Sequence, residues 1–310
     1  MDKTYDLVIV GGGPAGTGAG VYAARKKLKT ALITKDWGGQ STVSQDIQNW
    51  IGTISISGDT FAKNLKEHVK AYADDVLDII EGQKVTGIEK NNDRTFTVKT
   101  EKEEYKTKTV LIASGSHRRK LEVPGAEEFE NKGITYCATC DAPMFSDQNV
   151  VVIGGGNAGF ESASQLLAYA KSVTLIHRSE NYRADPITVE KVLENPKMSA
   201  IKNADTIEIK GDKMVKSIVY KDKNTGEIKE IETAGIFVEI GLIPTTSYVS
   251  GLVELDEYNR IKTDPRNQRT LTEGVWAAGD CTDVLYHQNN IACGDAVKAL
   301  EDIYIYIQRM

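Results

Sequence analysis

The chain has 310 residues, 40% hydrophobic and 26% charged, which is enough to bury the core of one large or two modest domains. Its formal net charge of -6 gives no electrostatic reason to expect nucleic acid or an anionic membrane surface as a partner. We expect no secretion signal, because the first residues lead straight into a strand-like run without the basic region and long apolar stretch of such a signal. We expect no membrane helix, because no apolar run approaches the roughly 20 residues that a span needs. With only four cysteines, the expected location is the reducing cytoplasm.

The chain opens with a predicted βαβ unit. A buried strand over residues 5–10 precedes a glycine-rich turn, a helix to about residue 27 and a second strand over 30–34. The G-x-G-x-x-G spacing allows a tight turn, close approach to a pyrophosphate and close helix packing. The turn contributes Gly11, Gly13, Pro14, Ala15 and Gly16, and Asp36 follows near the end of the second strand as a candidate ribose ligand. This unit is predicted to bind a dinucleotide.

A scaffold helix over residues 59–75 and a β meander over 85–112 follow, and the last strand of the meander ends at Ala113. The chain then reaches Cys137 and Cys140, which can close a reducible disulfide, and the neighbouring Asp141. Half of a zinc site or two incidental thiols are the alternatives for such a pair. No second C-x-x-C pair and no histidines at zinc-finger spacing accompany it, so we expect no metal site. Asp141 could also act only as a helix cap.

The opening pattern then recurs. A strand over residues 149–153 leads into a second fingerprint, a helix and a strand over 173–177, and then a helix over 186–193, a meander over 205–232 and a strand over 235–240. The second turn contributes Gly154, Gly156, Asn157, Ala158 and Gly159. The sequence therefore predicts an α/β fold of two Rossmann-like three-layer dinucleotide-binding domains. The second domain (116–243) is inserted into the first (1–115 and 244–310), with hinges at Gly115 and Gly241.

The residues predicted to contact the adenosine ribose differ between the two domains. Asp36 permits FAD or NAD in the first domain, whereas the second domain carries Arg178, Ser179 and Arg183, whose guanidinium groups could hold a 2′-phosphate. Glu180 could instead hold an unphosphorylated ribose. The prediction for the second site is NADP(H), and NAD(H) stays open.

Over essentially its whole length the chain resembles the low-molecular-weight thioredoxin reductases. The cysteine pair lies just before the second fingerprint, as in that family, and two further segments match its flavin-contacting motifs. One is Gly38-Gly39-Gln40 followed by residues 46–50, and the other begins at Gly279. The residues that the resemblance adds as FAD ligands are Gly39, Gln40, Asn49, Ala113, Gly279, Asp280, Gln288 and Asn289. Gly279-Asp280-Cys281-Thr282 is also similar to the reductase portion of the alkyl hydroperoxide reductase flavoprotein.

The resemblance implies an enzyme that passes electrons from NAD(P)H through FAD and the Cys137-Cys140 pair to thioredoxin or a thioredoxin-like protein. It also implies that Cys140 faces the flavin, that Asp141 exchanges protons, that the inserted domain rotates about its hinges, and that the protein is a homodimer. Three positions depart from the family pattern: Ser179 replaces an arginine, Ala142 a glycine, and His287 a frequent arginine.

Three alternatives stay open at this point. The first is an NADH-linked reductase of a thioredoxin-like protein that serves a peroxidase, and the second is a ferredoxin-dependent thioredoxin reductase. The third is a flavin-bearing redox sensor without turnover. The sensor hypothesis offers no reason for a reactive cysteine pair beside Asp141.

Overall fold

The computed structural model describes residues 4–44 and 47–310. The elements before the cysteine pair are β1 (Thr4–Gly12), α1 (Pro14–Arg25), β2 (Thr30–Trp37), a 3-10 helix (Gly39–Val43), α2 (Gly58–Ala73), β3 (Leu77–Glu81), β4 (Val85–Lys90), β5 (Phe96–Thr100), β6 (Glu104–Ile112), β7 (Ser116–Arg118) and β8 (Ile134–Thr135).

The remaining elements begin at the cysteine pair. They are α3 (Ala138–Asp141), a 3-10 helix (Ala142–Phe145), β9 (Asn149–Ile153), α4 (Asn157–Leu166), β10 (Ser172–Ile176), α5 (Pro186–Leu193), β11 (Met198–Ile201), β12 (Ala204–Gly211), β13 (Val215–Asp222), β14 (Ile228–Glu232), β15 (Gly235–Val238), β16 (Leu242–Pro244), a 3-10 helix (Ser247–Val249), β17 (Val275–Ala277) and α6 (Asn289–Gln308).

The chain forms two compact units. The first comprises the chain up to Val43, Trp50–His117 and Ile243–Met310, and the second comprises Ser44–Asn49 and Arg118–Leu242. The second unit is thus inserted into the first, and the predicted α/β fold with two Rossmann-like dinucleotide-binding domains is confirmed. Among the described residues, no helix is both long and apolar enough to cross a bilayer.

The first unit is built on a seven-stranded sheet, in which six strands follow the order β3-β2-β1-β6-β5-β4 and the seventh, β17, pairs with β6. The long strand β6 pairs with the antiparallel β5 along its first half and with the parallel β17 along its last three residues. Leu7 and Ile9 of β1 pack with α1 and α6 on one face, whereas Val8 and Val10 pack with the meander side on the other. Every one of these positions is apolar because both faces of the sheet are covered.

The second unit repeats this plan with a five-stranded parallel sheet in the order β11-β10-β9-β15-β8. Val150 and Val152 of β9 face α4, while Val151 and Ile153 face the separate three-stranded antiparallel sheet β12-β13-β14. In each unit the central strand, β1 or β9, and its two parallel neighbours therefore end at the same edge of the sheet. In such sheets this edge is where ligands bind.

Some bounds differ from the sequence expectation. Strand β2 continues to Trp37 rather than ending at Thr34, so Asp36 lies inside the strand. The extension arises because the register of the β1–β2 pair shifts near Gly12, which then pairs with Trp37, and the Thr34 hydroxyl donates to the Asp36 carbonyl oxygen at 2.6 Å.

Candidate active site and dinucleotide sites

The first fingerprint forms a backbone cradle at the start of α1. A Cβ built on Gly11 would lie 2.2 Å from the Ala113 carbonyl oxygen, and one on Gly16 would lie 1.8 Å from the Gly11 carbonyl oxygen. Gly11 also has a φ of 122°, which L side chains avoid. A Cβ on Gly13 would instead meet no atom closer than 3.9 Å, and this residue caps α1 without a side-chain acceptor. The first amides of α1 are thus open to a phosphate.

A cavity of about 430 Å³ opens at this cradle. Eleven of the residues predicted for the first site line it: Gly11, Gly13, Pro14, Ala15, Asp36, Gly39, Gln40, Ala113, Gly279, Asp280 and Asn289. Gly16 does not line it, because it packs against the Gly11 carbonyl. Gln288 caps α6 instead, Asn49 falls in the second unit, and Asp46 of the predicted flavin loop lies outside the described residues.

The cavity also contains residues that the sequence analysis missed. Lys35, Gln83, Lys84, Ser114 and Tyr248 line it. Ser114 donates a hydrogen bond to the Thr245 carbonyl oxygen at 2.7 Å, and burial raises the pKa of Tyr248. Among these five residues, only Ser114 could have been chosen from the sequence as a candidate site residue, because it directly follows the last residue of a predicted strand.

The second fingerprint has the same geometry. A Cβ on Gly154 would lie 2.1 Å from the Glu239 carbonyl oxygen, and one on Gly159 would lie 2.0 Å from the Gly154 carbonyl oxygen. Gly156 again has open space at its Cβ position and caps α4 without a side-chain acceptor. In both cradles a side chain at the first or third glycine would collide with a backbone carbonyl, whereas the space beside the second glycine is open. Their shape fits two dinucleotides.

The loop after β10 holds the predicted ribose ligands of the second site. Arg178 and Arg183 are exposed, and neither guanidinium forms an ion pair within the part of the chain that the structure describes. The Arg183 amide donates to the Gly155 carbonyl at 2.8 Å, which ties this loop to the fingerprint. Ser179 is half-buried, and Glu180 accepts a hydrogen bond from Asn203 and lies 3.9 Å from the Lys202 ammonium.

Two residues of the second fingerprint have different roles from the glycines. The Asn157 side-chain oxygen accepts a hydrogen bond from the Asp185 amide at 2.8 Å, so Asn157 links α4 to the start of α5. Ala158 occupies the first turn of α4. The Asn157 side chain therefore holds the turn, while the open approach is provided by Gly156.

Cys137 and Cys140 are joined by a disulfide at the start of α3, in the second unit. Both residues are half-buried, and the Cys140 amide donates to Cys137 Sγ at 3.2 Å. Strand β8 leads directly into this turn and pairs with β15 of the parallel sheet. The disulfide thus lies in the same unit as the second fingerprint, just beyond a strand of the same sheet.

Asp141 is 7% exposed and accepts a hydrogen bond from the Thr135 hydroxyl. The Thr135 oxygen also accepts from the Cys137 amide at 3.4 Å, so one hydroxyl connects the carboxyl group to the cysteine turn. Asp141 occupies the capping position of the following 3-10 helix, but its side chain makes no capping hydrogen bond there. Thr135 belongs to no motif of the sequence that would mark it as a site residue.

The other two cysteines have inert surroundings. Cys281 is fully buried, with its sulfur 3.5 Å from the Ala278 carbonyl oxygen, and burial raises the pKa of its thiol to about 11. Cys293 is half-buried on α6, and burial raises its pKa too. A thiol with a raised pKa is a poor nucleophile at neutral pH. No group of three or more metal-ligating side chains occurs among residues 4–44 and 47–310.

Residues 5–296 match the pyridine nucleotide-disulphide oxidoreductase family. The fold is similar to the thioredoxin reductase of Streptococcus pyogenes MGAS5005, with a TM-score of 0.89, 34% identity and 100% of both chains covered. It is also similar to that of Giardia duodenalis, with a TM-score of 0.91, 31% identity and the same coverage.

Two curated relatives have names other than thioredoxin reductase. A protein named NADH dehydrogenase from Bacillus subtilis (strain 168) is 38% identical over 308 residues, which are 99% of this chain and 59% of that protein. An alkyl hydroperoxide reductase subunit of Pseudomonas aeruginosa is 40% identical over 297 residues, which are 95% of this chain and 57% of that protein. The chain therefore spans less than two thirds of the length of these relatives.

Proposed function

The chain belongs to the pyridine nucleotide-disulphide oxidoreductase family, and from this premise we propose that it reduces a disulfide of thioredoxin or a thioredoxin-like protein. Membership implies FAD and NAD(P)H as cofactors. One observation carries the proposal: the disulfide of Cys137 and Cys140 adjoins a buried carboxyl group, in the unit that also holds the second dinucleotide cradle. A sensor without turnover would not need this arrangement.

We assign FAD to the first unit. The open amides at the start of α1 would bind its pyrophosphate, and the exposed Asp36 at the end of β2 would accept from a ribose hydroxyl. Asp280 and Asn289 line the cavity and would hold the flavin part. Bound there, FAD supplies the two-electron chemistry that links a hydride donor to a disulfide.

The reduced cysteine pair would carry out the exchange with the partner. One thiolate of the pair attacks a sulfur of the partner's disulfide, which forms a mixed disulfide and releases the other partner sulfur as a thiolate. The second cysteine then attacks the mixed disulfide, which closes the Cys137–Cys140 bond and leaves the partner as a dithiol. Asp141, held by Thr135, would take the proton from a cysteine thiol and return it during the cycle.

NADPH is the donor that we propose for the second unit. The guanidinium groups of Arg178 and Arg183 make no ion pair within the described part of the chain, so both are available to a 2′-phosphate. Glu180, the group that would favour an unphosphorylated ribose, is engaged by Asn203 and Lys202. These contacts support a preference for NADPH over NADH.

A second candidate is an NADH-linked reductase of a thioredoxin-like protein in a peroxidase system. The 40% identity with a protein named as part of an alkyl hydroperoxide reductase favours it, as does Ser179 in place of a second arginine. The two candidates share the cofactor sites and the cysteine pair. They differ in the donor and in the partner.

An anaerobic titration tests the proposal. FAD-loaded protein is titrated with NADPH and separately with NADH, and oxidised thioredoxin is then added while flavin absorbance and thioredoxin thiols are followed. We expect NADPH to bleach the flavin at lower concentration than NADH, and thioredoxin to restore its colour. Bleaching by NADH with no response to thioredoxin would favour the second candidate, and bleaching by neither nucleotide would favour a ferredoxin-dependent enzyme.

The matched control is Cys137→Ser, which leaves every residue predicted for the two dinucleotide sites unchanged. Its flavin should still be bleached by NADPH, but thioredoxin should gain no thiols. Unchanged thioredoxin reduction by Cys137→Ser would overturn the proposed role of the cysteine pair.

The rotation of the inserted unit, the homodimer and the cytoplasmic location stay predictions. Gly115 and Gly241, the predicted hinges, have φ values of 63° and 107°, and a Cβ at either would meet no atom within 4 Å. Backbone freedom at both positions supports the hinge hypothesis.

A further inference from the structure

Glu239 is the counterpart in the second unit of Ala113 in the first. The Ala113 amide donates to the Val10 carbonyl at 2.9 Å, and the Glu239 amide donates to the Ile153 carbonyl at 2.8 Å. Each residue's carbonyl also faces the first glycine of its fingerprint, at 2.2 and 2.1 Å from a Cβ built there. Because Ala113 lines the cavity of the first unit, Glu239 occupies the equivalent edge of the second dinucleotide crevice.

The two units also differ at the residue opposite this position. Counted from the first glycine of each fingerprint, Ala19 of α1 corresponds to Ser162 of α4. Ala19 and Ala113 belong to one apolar cluster, whereas the buried Ser162 hydroxyl donates to the Glu239 carboxyl group at 2.7 Å. A pair of alanines in one unit is therefore replaced by a hydrogen-bonded serine and glutamate in the other.

The surroundings of Glu239 disfavour its charged form. Burial raises the pKa of Glu239 from an ordinary value of 4.5 to about 7, while the Ser162 hydrogen bond and the Arg118 guanidinium lower it and the exposed Glu161 of α4 raises it slightly. A dinucleotide brings two negative phosphates to this edge, which disfavours a carboxylate further. A neutral acid, in contrast, can donate a hydrogen bond to a phosphate or ribose oxygen.

We infer that Glu239 is a binding residue of the second dinucleotide crevice and holds the nicotinamide nucleotide as a neutral acid, so that nucleotide binding takes up a proton. The inference rests on the proposed function, because it needs a nicotinamide nucleotide in the second unit. It adds a donor group and a pH dependence that the fingerprint glycines cannot provide.

Calorimetric titration of the FAD-loaded protein with NAD⁺ and with NADP⁺, from pH 6 to pH 9, tests this inference. The oxidised nucleotides avoid turnover, and two buffers with different heats of ionisation count the protons taken up. We expect the Kd to rise about tenfold over this range, since each unit of pKa shift on binding corresponds to a factor of ten. Proton uptake should be largest near neutral pH.

The informative variant is Glu239→Gln, which keeps the shape of the side chain and can still accept from Ser162. Its Kd should vary less than about twofold with pH, and it should take up no proton on binding NAD⁺. Glu161→Gln is the matched control, because it removes one exposed negative charge from the same helix and should keep the wild-type pH dependence. NAD⁺ is included because, unlike NADP⁺, it has no 2′-phosphate that titrates in this range.

The possible failures are distinguishable. A wild-type Kd that is constant from pH 6 to pH 9, or the same pH dependence in Glu239→Gln as in the wild type, would overturn the inference and leave the proposed function intact. Binding of neither nucleotide at any pH would overturn the proposed function, and the inference with it.

Discussion

At the scale of single residues, the hydroxyl of Thr135 is expected to hold Asp141 in position. We predict that Thr135→Val lowers the rate of thioredoxin reduction about tenfold, because a buried carboxyl group that loses a donor is destabilised by about 1–3 kcal/mol. Thr135→Ser, which keeps the hydroxyl, should restore most of the rate. Flavin bleaching by NADPH should be the same in all three proteins, and a Thr135→Val protein as fast as the wild type would contradict the prediction.

The raised pKa of Glu239 also predicts a pH-dependent stability. Between pH 4.5 and about 7 the unfolded chain ionises this group while the folded protein keeps it protonated, so the free energy of unfolding falls as the pH rises through this window. The Glu239→Gln protein has no ionisable group at this position, so its free energy of unfolding does not fall for this reason. Its stability advantage over the wild type should grow from pH 4.5 to 7, reach at most about 3 kcal/mol and then stay constant, as urea unfolding at several pH values would measure.

An advantage of Glu239→Gln that is the same at pH 4.5 and pH 8 would mean that ionisation of Glu239 does not contribute to stability. Glu161→Gln is again the control, since Glu161 is exposed. For that variant, the difference from the wild type should be small at every pH.

At the scale of elements, the second glycine of each fingerprint should affect binding rather than folding. Gly156→Ala adds a methyl group in open space at the start of α4, where φ is -97°. We expect the Kd for NADPH to rise about tenfold, because overpacking a well-fitted contact costs about 1–3 kcal/mol, with no change in melting temperature or FAD content. Gly13→Ala should weaken FAD retention instead.

Gly87→Ala is the matched control for both variants, since a Cβ at Gly87 meets no atom within 4 Å and the residue lies on β4, outside either fingerprint. It should change neither affinity. If Gly156→Ala weakened FAD and NADPH binding equally, the assignment of one dinucleotide to each unit would be wrong.

The two βαβ units could be predicted from the sequence because their signals are local: apolar strands, glycines at fixed spacing and amphipathic helices. The end of β2 could not, because its extension to Trp37 depends on a register shift against β1. Lys35, Gln83 and Tyr248 meet at one cavity only after separate segments fold together, so no spacing links them. The Thr135 contact is close in sequence, but it depends on which way the hydroxyl points.

At the scale of the whole molecule, the protein should store electrons at two centres, with FAD in the first unit and the cysteine pair in the second. Anaerobic titration with dithionite, followed by flavin absorbance, should therefore consume twice as many reducing equivalents per chain as Cys137→Ser consumes. Cys281→Ser should match the wild type, because the buried Cys281 thiol is not part of a disulfide. Equal consumption by wild type and Cys137→Ser would show that the disulfide does not exchange electrons with the flavin.

Strand β8, which leads into the cysteine turn, pairs with β15 through only two residues, Ile134 and Thr135, at an edge of the sheet. Local opening of so short an edge strand is expected to cost less free energy than opening of β9 in the middle of the sheet. In deuterium exchange, the amides around Cys137 should therefore lose protection before those of β9. Each opening of β8 would separate the Thr135 hydroxyl from the Asp141 carboxyl group. The fraction of time that β8 stays paired with β15 therefore sets an upper limit on how often the Asp141 carboxyl group is positioned beside the cysteine pair.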